Sequence, residues 1–195
     1  MISNGNFHPM ALGLSFDALR PALAHAGQLS ERRMNHLWAA TFAKPPVNTS
    51  DANRSVWGSV GDRRGVSLGY SSAAASADLR QLAEPATLDI APLDLGIEDH
   101  ASGAPLSVMR TEAALERLDD ILAVELLIAR DLLISTVSNR RLGAGAAAVL
   151  ETVNSALKDL GQDVSSGEFH ATVRRMRPQM LSAAGNAAGR LGWSD

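Results

Sequence analysis

The residues of this chain that could do chemistry stand in two short polar stretches. Near the start, Asn4-Gly5-Asn6-Phe7-His8 places an amide, a ring face and an imidazole at Asn6, Phe7 and His8. Further on, Leu93-Asp94-Leu95-Gly96-Ile97-Glu98-Asp99-His100-Ala101-Ser102 sets two adjacent carboxylates and an imidazole in a break between apolar helical segments. Charges between apolar elements need a reason, because burying them unpaired is costly. A carboxylate whose pKa is tuned by burial can hold an amine or move a proton, and that is the functional reading of Glu98. The plainer reading makes Glu98 and Asp99 caps or ion-pair partners at a helix start, and spacing alone favours it. Asn6, Phe7 and His8 could orient a substrate; an N-terminal turn with a buried ring fits the same residues equally well. The five histidines, His8, His25, His36, His100 and His170, are scattered. No pair has zinc-site spacing, so no metal site is expected. Gly143-Ala144-Gly145 lacks the third glycine and the preceding strand of a phosphate loop. Arg174-Arg175-Met176-Arg177 reads as a solvated helix face.

Bulk properties narrow the classes. With 195 residues the chain suits one domain, or one with a small appendage. A formal net charge of -3 gives no bias toward nucleic acid or an anionic membrane. With no cysteine, disulfides, thiolate metal sites and a Cys nucleophile are excluded. The first residues lack a basic region followed by an apolar run, so no secretory signal is expected. The most apolar run, Ile121 to Val137, is interrupted by Glu125, Arg130 and Asp131, which argues against a membrane span. The expectation is a cytoplasmic protein. Abundant Ala and Leu with only 4% aromatic residues favours helices.

The elements that must position the two polar stretches follow from periodicity. From Pro9 to about Phe42, Leu12, Phe16, Leu19, Leu23, Ala26, Leu29, Met34, Leu37 and Ala40 recur at helical steps, predicting one long helix with these residues as its core stripe. Pro21 inside it predicts a kink or a split. Gly27 to Arg33 reads as a solvated turn. Residues 44–65 are rich in Pro, Asn, Ser, Asp and Gly and read as a long loop, a type that is often functional. A small-residue helix follows over 67–84, ended by Glu84-Pro85. Ser107 to Ser138 is apolar nearly all round: Leu115, Leu118, Leu122, Leu126, Ala129 and Leu133 form one stripe, and Ile121, Val124, Leu127, Ile128, Leu132 and Ile134 fill other faces. A helix of about 30 residues, roughly 45 Å long, is hard for a chain of this size to enclose, so companion subunits are expected to cover part of it. A helix over 146–160 and another over about 167–181, capped by Ser165 or Ser166, form a C-terminal hairpin, with 185–195 as a frayed tail. The expected division is a long-helix bundle segment over 1–140 and a hairpin with tail over 141–195.

Five blocks in order carry a resemblance. They are Gly5-Asn6-Phe7-His8, Leu29-Ser30-Glu31-Arg32-Arg33, Ala83-Glu84-Pro85-Ala86-Thr87-Leu88-Asp89, Glu98-Asp99-His100-Ala101-Ser102, and Leu122-Ala123-Val124-Glu125-Leu126-Leu127. Together they resemble the aromatic amino acid lyases: the histidine, phenylalanine and tyrosine ammonia-lyases and their aminomutase relatives. The match runs over about residues 3–185 and concerns the C-terminal part of that family.

The resemblance implies an all-α, long-helix bundle of the ammonia-lyase type. It implies elimination of ammonia from an α-amino acid such as histidine, tyrosine or phenylalanine, through a methylidene-imidazolone electrophile made from an Ala-Ser-Gly upstream of what this chain contains. Phe7 matches the family's pocket phenylalanine and Glu98 its substrate-contacting acidic or amide residue. Glu at that place, within Glu-Asp-His, is similar to the histidine branch, while Ile97 departs from the amide usual before it. Ala101-Ser102-Gly103 is itself an Ala-Ser-Gly, but it falls in the tail of the Glu-Asp-His block and is not expected to cyclise. The cofactor is therefore expected on a partner chain, an N-terminal-half lyase subunit, within a homo- or hetero-oligomer whose pockets draw on several chains. The resemblance begins almost at Met1, which suggests a lyase divided into two polypeptides. A non-catalytic scaffold derived from the family, and an excised piece of a longer enzyme, are the alternatives.

Overall fold

The structure is a computed structural model and describes residues 9–43, 67–88, 91, 95, 101–135, 141–160 and 164–189. Among them are six α-helices: α1 Met10–Ala43, α2 Gly69–Leu82, α3 Ala104–Ser135, α4 Ala144–Lys158, α5 Ser166–Arg175 and α6 Arg177–Gly189. No strand occurs among the described residues, and the all-α class follows. The loop expected over 44–65 lies outside them. No helix is long and apolar enough to cross a membrane among the described residues. The chain divides into two compact units, one within Met1–Glu31 and Ser72–Ile121, the other within Arg32–Ser71 and Leu122–Asp195.

In the first unit, α1 reverses the expected faces. Within this unit its buried residues are Gly13, Asp17, Arg20, Ala24, Gly27 and Ser30, at steps of three and four, while beyond it Met34 of the expected stripe is buried as expected. Leu12, Leu19 and Leu29, expected in the core, are 48%, 42% and 54% exposed. The face turned inward is small and polar because α1 meets its neighbours closely there. A Cβ built at Gly27 would lie 2.7 Å from Leu79 Cδ2 and 3.3 Å from Ile121 Cδ1. The solvated turn expected over 27–33 is thus a packed crossing with Ser30 fully buried. The expected break at Pro21 is absent too, since α1 is one helix of 34 residues. Pro21 is exposed on the outer side of α1, and the helix runs through it despite the cost of about 3 kcal/mol that an interior proline brings. The small-residue face of α2 turns inward through Ser72, Ala75, Ser76 and Leu79.

In the second unit, Ala123 and Leu127 of α3, Val153 and Leu157 of α4 and Val173 of α5 form a core. Leu126, Leu160, Phe169 and Met180 pack around it. The expected C-terminal hairpin forms, with α4 packed chiefly on α6. Its returning arm is two helices rather than one. Pro178 has no N–H to give Arg174 and its ring would crowd that carbonyl. The first helix therefore stops at Met176, and Pro178 sits in the first turn of the second, where a missing donor costs nothing. The second helix reaches Gly189, well into the tail expected to fray. Ser165 is the cap: its Oγ accepts from Glu168 N at 3.3 Å while Glu168 Oε2 accepts from Ser165 N at 2.9 Å. That backbone bond holds the exposed Glu168 carboxyl below its ordinary value. Arg33 grips Glu125 with Nε and Nη2, joining two of the five blocks by a bidentate ion pair.

Candidate functional site

Asn6, Phe7, His8 and Glu98, the residues the sequence singles out, lie outside the described residues, as do Asp99 and His100. The structure shows the frame on either side of them. Residue 9 leads from the first stretch into α1. Thr87 and Leu88 stand at the near flank of the second stretch, and Ala101 to Gly103 lead from it into α3.

This frame is tied together by a buried ion pair that sequence reasoning passed over. Asp17 and Arg20 lie one turn apart on α1, 7% and 0% exposed. Arg20 Nη2 donates to Asp17 Oδ1 at 2.6 Å and to the Glu84 carbonyl at 2.8 Å. Its Nε donates to the Leu82 carbonyl at 2.7 Å, capping the end of α2. Its Nη1 reaches the Ser107 carbonyl and Oγ, each at 2.9 Å. Asp17 Oδ2 accepts from Thr87 N at 3.0 Å and from Thr87 Oγ1 at 2.7 Å. Ser107 Oγ lies within reach of both Asp17 Oδ1 and the Gly13 carbonyl, and the carboxylate is the stronger acceptor for its one proton. Thr111 Oγ1 donates to the Ser107 carbonyl at 2.8 Å and backs the cluster.

Each Asp17 oxygen therefore accepts two hydrogen bonds. Burial alone would raise this carboxyl. The bonds from Ser107, from Thr87 backbone and side chain, and from Arg20 outweigh burial and hold it well below the usual carboxylate range. A carboxylate so saturated has no affinity to spare for a substrate proton near neutrality. Its chemistry is geometric: the carboxylate binds the turn after α2 and the start of α3, and Arg20 beside it binds the end of α2. The signal was in the sequence as an Asp and an Arg three apart, in register with Gly13, Ala24 and Gly27. Leucine periodicity drew the reading to the opposite face.

Ala101-Ser102-Gly103 is used as the start of α3. Gly103 has φ 59° and its carbonyl accepts Ser107 N at 2.9 Å. Ser102 is buried, with its Oγ 3.4 Å from Ala104 N. Cyclisation needs the Gly103 nitrogen on the Ala101 carbonyl carbon, and the tripeptide is instead committed to a helix N-terminus. These residues do not fit a precursor of the electrophile. Among the described residues, no three His, Asp or Glu side chains gather where a cation would be held.

The family model described as aromatic amino acid lyase matches residues 1–155. This chain belongs to the aromatic amino acid lyase family. Histidine ammonia-lyase of Natranaerobius thermophilus is 30% identical over 183 residues, covering 90% of this chain and 34% of the relative. Histidine ammonia-lyase of Photobacterium profundum is 36% identical over 135 residues, or 66% of this chain and 24% of the relative. Among solved structures, tyrosine aminomutase from Streptomyces globisporus superposes with TM-score 0.72 at 23% identity, covering 94% of this chain and 34% of that one. A tyrosine aminomutase mutant with bound ligand gives 0.73 at 22% identity. These structures establish the fold. The lyase-family chain spans about a third of the length of the histidine ammonia-lyases it matches.

Proposed function

We propose that this chain supplies the C-terminal portion of an aromatic amino acid ammonia-lyase or aminomutase, and that a partner polypeptide carries the methylidene-imidazolone electrophile. Glu98 contacts the substrate amine or a proton in transit, and Phe7, with Asn6 and His8, lines the pocket around the substrate ring. The electrophile, when the partner brings it, draws charge from the amino acid so that ammonia can leave. The residues of this chain bind and orient. We place the assembly in the cytoplasm.

The observation carrying this reading is coverage. Nearly all of the chain, 94%, matches a structure of which it represents only 34%. A fold cut to a third of its extent leaves faces that the rest of the fold would cover. Leu12, Leu19 and Leu29 on α1 and Met109 and Leu115 on α3 are between 42% and 64% exposed, as such a cut requires.

The test mixes the purified chain with a polypeptide comprising the upstream two-thirds of a histidine ammonia-lyase, Ala-Ser-Gly included. Histidine, tyrosine and phenylalanine are offered, and ammonia and the conjugated acrylate product are followed. The expected result is no turnover by either chain alone, turnover by the mixture, loss of it in Glu98→Gln, and an intact mass for this chain without loss of water. Failure of the two chains to associate, or a mass lower by two waters, would overturn the reading.

A further inference from the structure

In the first unit, contacts fix how α1, α2 and α3 stand. Gly13, Arg20 and Gly27 of α1 lie against Ala104, Ser107 and Ile121 of α3, so these two helices run parallel. Against α2 the order reverses. Gly27 meets Leu79, Arg20 the Leu82 carbonyl, and Asp17 reaches Thr87 beyond the helix end. Arg117 of α3 closes the triangle with Asp78 of α2 at 3.4 Å.

The triangle leaves one side open between the parallel pair. On α1, Asp17 marks the direction of the turn after α2, and the Phe16 carbonyl, 3.5 Å from Thr111 Oγ1, marks the direction of α3. At about 100° per residue, Leu12, Leu19 and Leu23 lie about 120–160° around α1 from Asp17, on the Phe16 side. On α3, Val108 and Leu115 stand nearly opposite Arg117. Both flanks therefore face away from α2 and border one apolar seam. Leu12, Leu19 and Leu115 are 48%, 42% and 42% exposed along it, and Leu23 and Val108 are half-buried. From Leu12 to Leu23 it runs roughly 17 Å, about three helical turns.

A seam of this length between parallel helices is a seat for another helix, whose ridge of side chains fills the groove and completes a four-helix arrangement. Between Leu12 and Leu23, α1 has no charge besides the buried pair, while on α3 Glu112 and Asp119 rim the seam beyond Leu115. An occupant with an apolar stripe and Lys or Arg along its α3 edge complements this floor and rim. The α1 and α3 edges of a second copy are themselves neutral and acidic. The matched fold also extends far beyond this chain, which covers 34% of it. We propose that the seam seats an apolar, basic-edged helix of the companion chain that carries the upstream portion of the fold. This rests on the proposed function, in which such a companion exists.

Thiol protection tests it, because the chain has no cysteine of its own. Leu19→Cys and Leu115→Cys place single thiols in the seam. Leu14→Cys and Leu106→Cys place them on the far sides of the same helices, where Leu14 and Leu106 are also exposed. Val108→Cys stands in where a seam variant does not fold. Maleimide alkylation is followed by the mass of this chain, with and without the upstream two-thirds of a histidine ammonia-lyase at about ten times its Kd. Seam thiols should react about tenfold more slowly in the mixture, and the Leu14 and Leu106 thiols at nearly unchanged rates. Glu112→Gln should weaken association at low salt, and the difference should fade at high salt. Unprotected seam thiols in a mixture that sediments as a complex overturn the seam and leave the companion standing, as does equal protection of all four thiols. Protection that grows with the concentration of this chain alone assigns the seam to a second copy and overturns the proposal too. Chains that do not associate at all remove the proposed function and the seam's occupant together.

Discussion

At the scale of single residues, Asp17 and Arg20 illustrate how a charge becomes part of a core. Removing one partner of such a pair leaves the other buried and uncompensated, at a cost of about 3–5 kcal/mol. Asp17→Asn should therefore lower the melting temperature strongly at pH 7. The pH dependence has a definite sign. The folded carboxyl lies below its unfolded value of about 4, so its contribution is fully present above that value and is lost as pH falls toward the folded one. Thermal melts of wild type and variant should differ most above about pH 5 and converge below about pH 4. A gap that stays constant down to pH 2 would contradict the assignment. Asn6, His8 and Glu98, with Phe7 set among the first of them, stand out in the sequence because they interrupt apolar periodicity. Asp17 and Arg20 were hidden because they continue a helical register, and only a partner from another element reveals what a helix face is for.

Helices were legible at the scale of elements, and faces were not. Apolar recurrence located α1, α2, α3 and α4 to within a few residues, since a helix of either orientation shows the same period. It could not tell which stripe turns inward when one is leucine and the other is Gly, Ala, Ser and a saturated ion pair. The break at Met176 was missed because Pro178 was read as part of one helix rather than as the first turn of the next. Two glycines separate packing from propensity. Gly185, inside α6, has nothing within 4 Å of a built Cβ. Gly185→Ala should stabilise the chain by up to about 1 kcal/mol, since helical glycine carries an entropic cost. Gly27 gains the same propensity, but its Cβ would meet Leu79, which is 1% exposed and has nowhere to move. Gly27→Ala should be net destabilising by about 1–2 kcal/mol. Chemical denaturation of both variants checks the pair, and stabilisation by Gly27→Ala would mean that α1 and α2 do not cross this closely.

For the whole molecule, what matters is the surface that the fold leaves apolar. Leu12, Leu19 and Leu29 share one face of α1, each about half exposed, with no role in the core beneath them. Covering them completely would contribute about 1 kcal/mol each, half of the roughly 1.5–3 kcal/mol for burying a whole leucine side chain. Three such positions supply about 3 of the roughly 8 kcal/mol that a micromolar complex needs, so losing them should weaken such a complex about a hundredfold. The same residues were read from the sequence as a core stripe. The hydrophobic pattern was therefore legible, while the exposure of this face was not, because periodicity marks an apolar stripe and does not say what lies against it. Replacing all three by Gln separates the two possibilities. If the face is covered by the upstream portion of a lyase, the triple variant should keep the wild-type melting temperature as an isolated chain, and it should lose binding to that portion in analytical ultracentrifugation. A triple variant that unfolds on its own would instead place these leucines in the interior of the lone chain, and the incompleteness inferred from them would have to be abandoned.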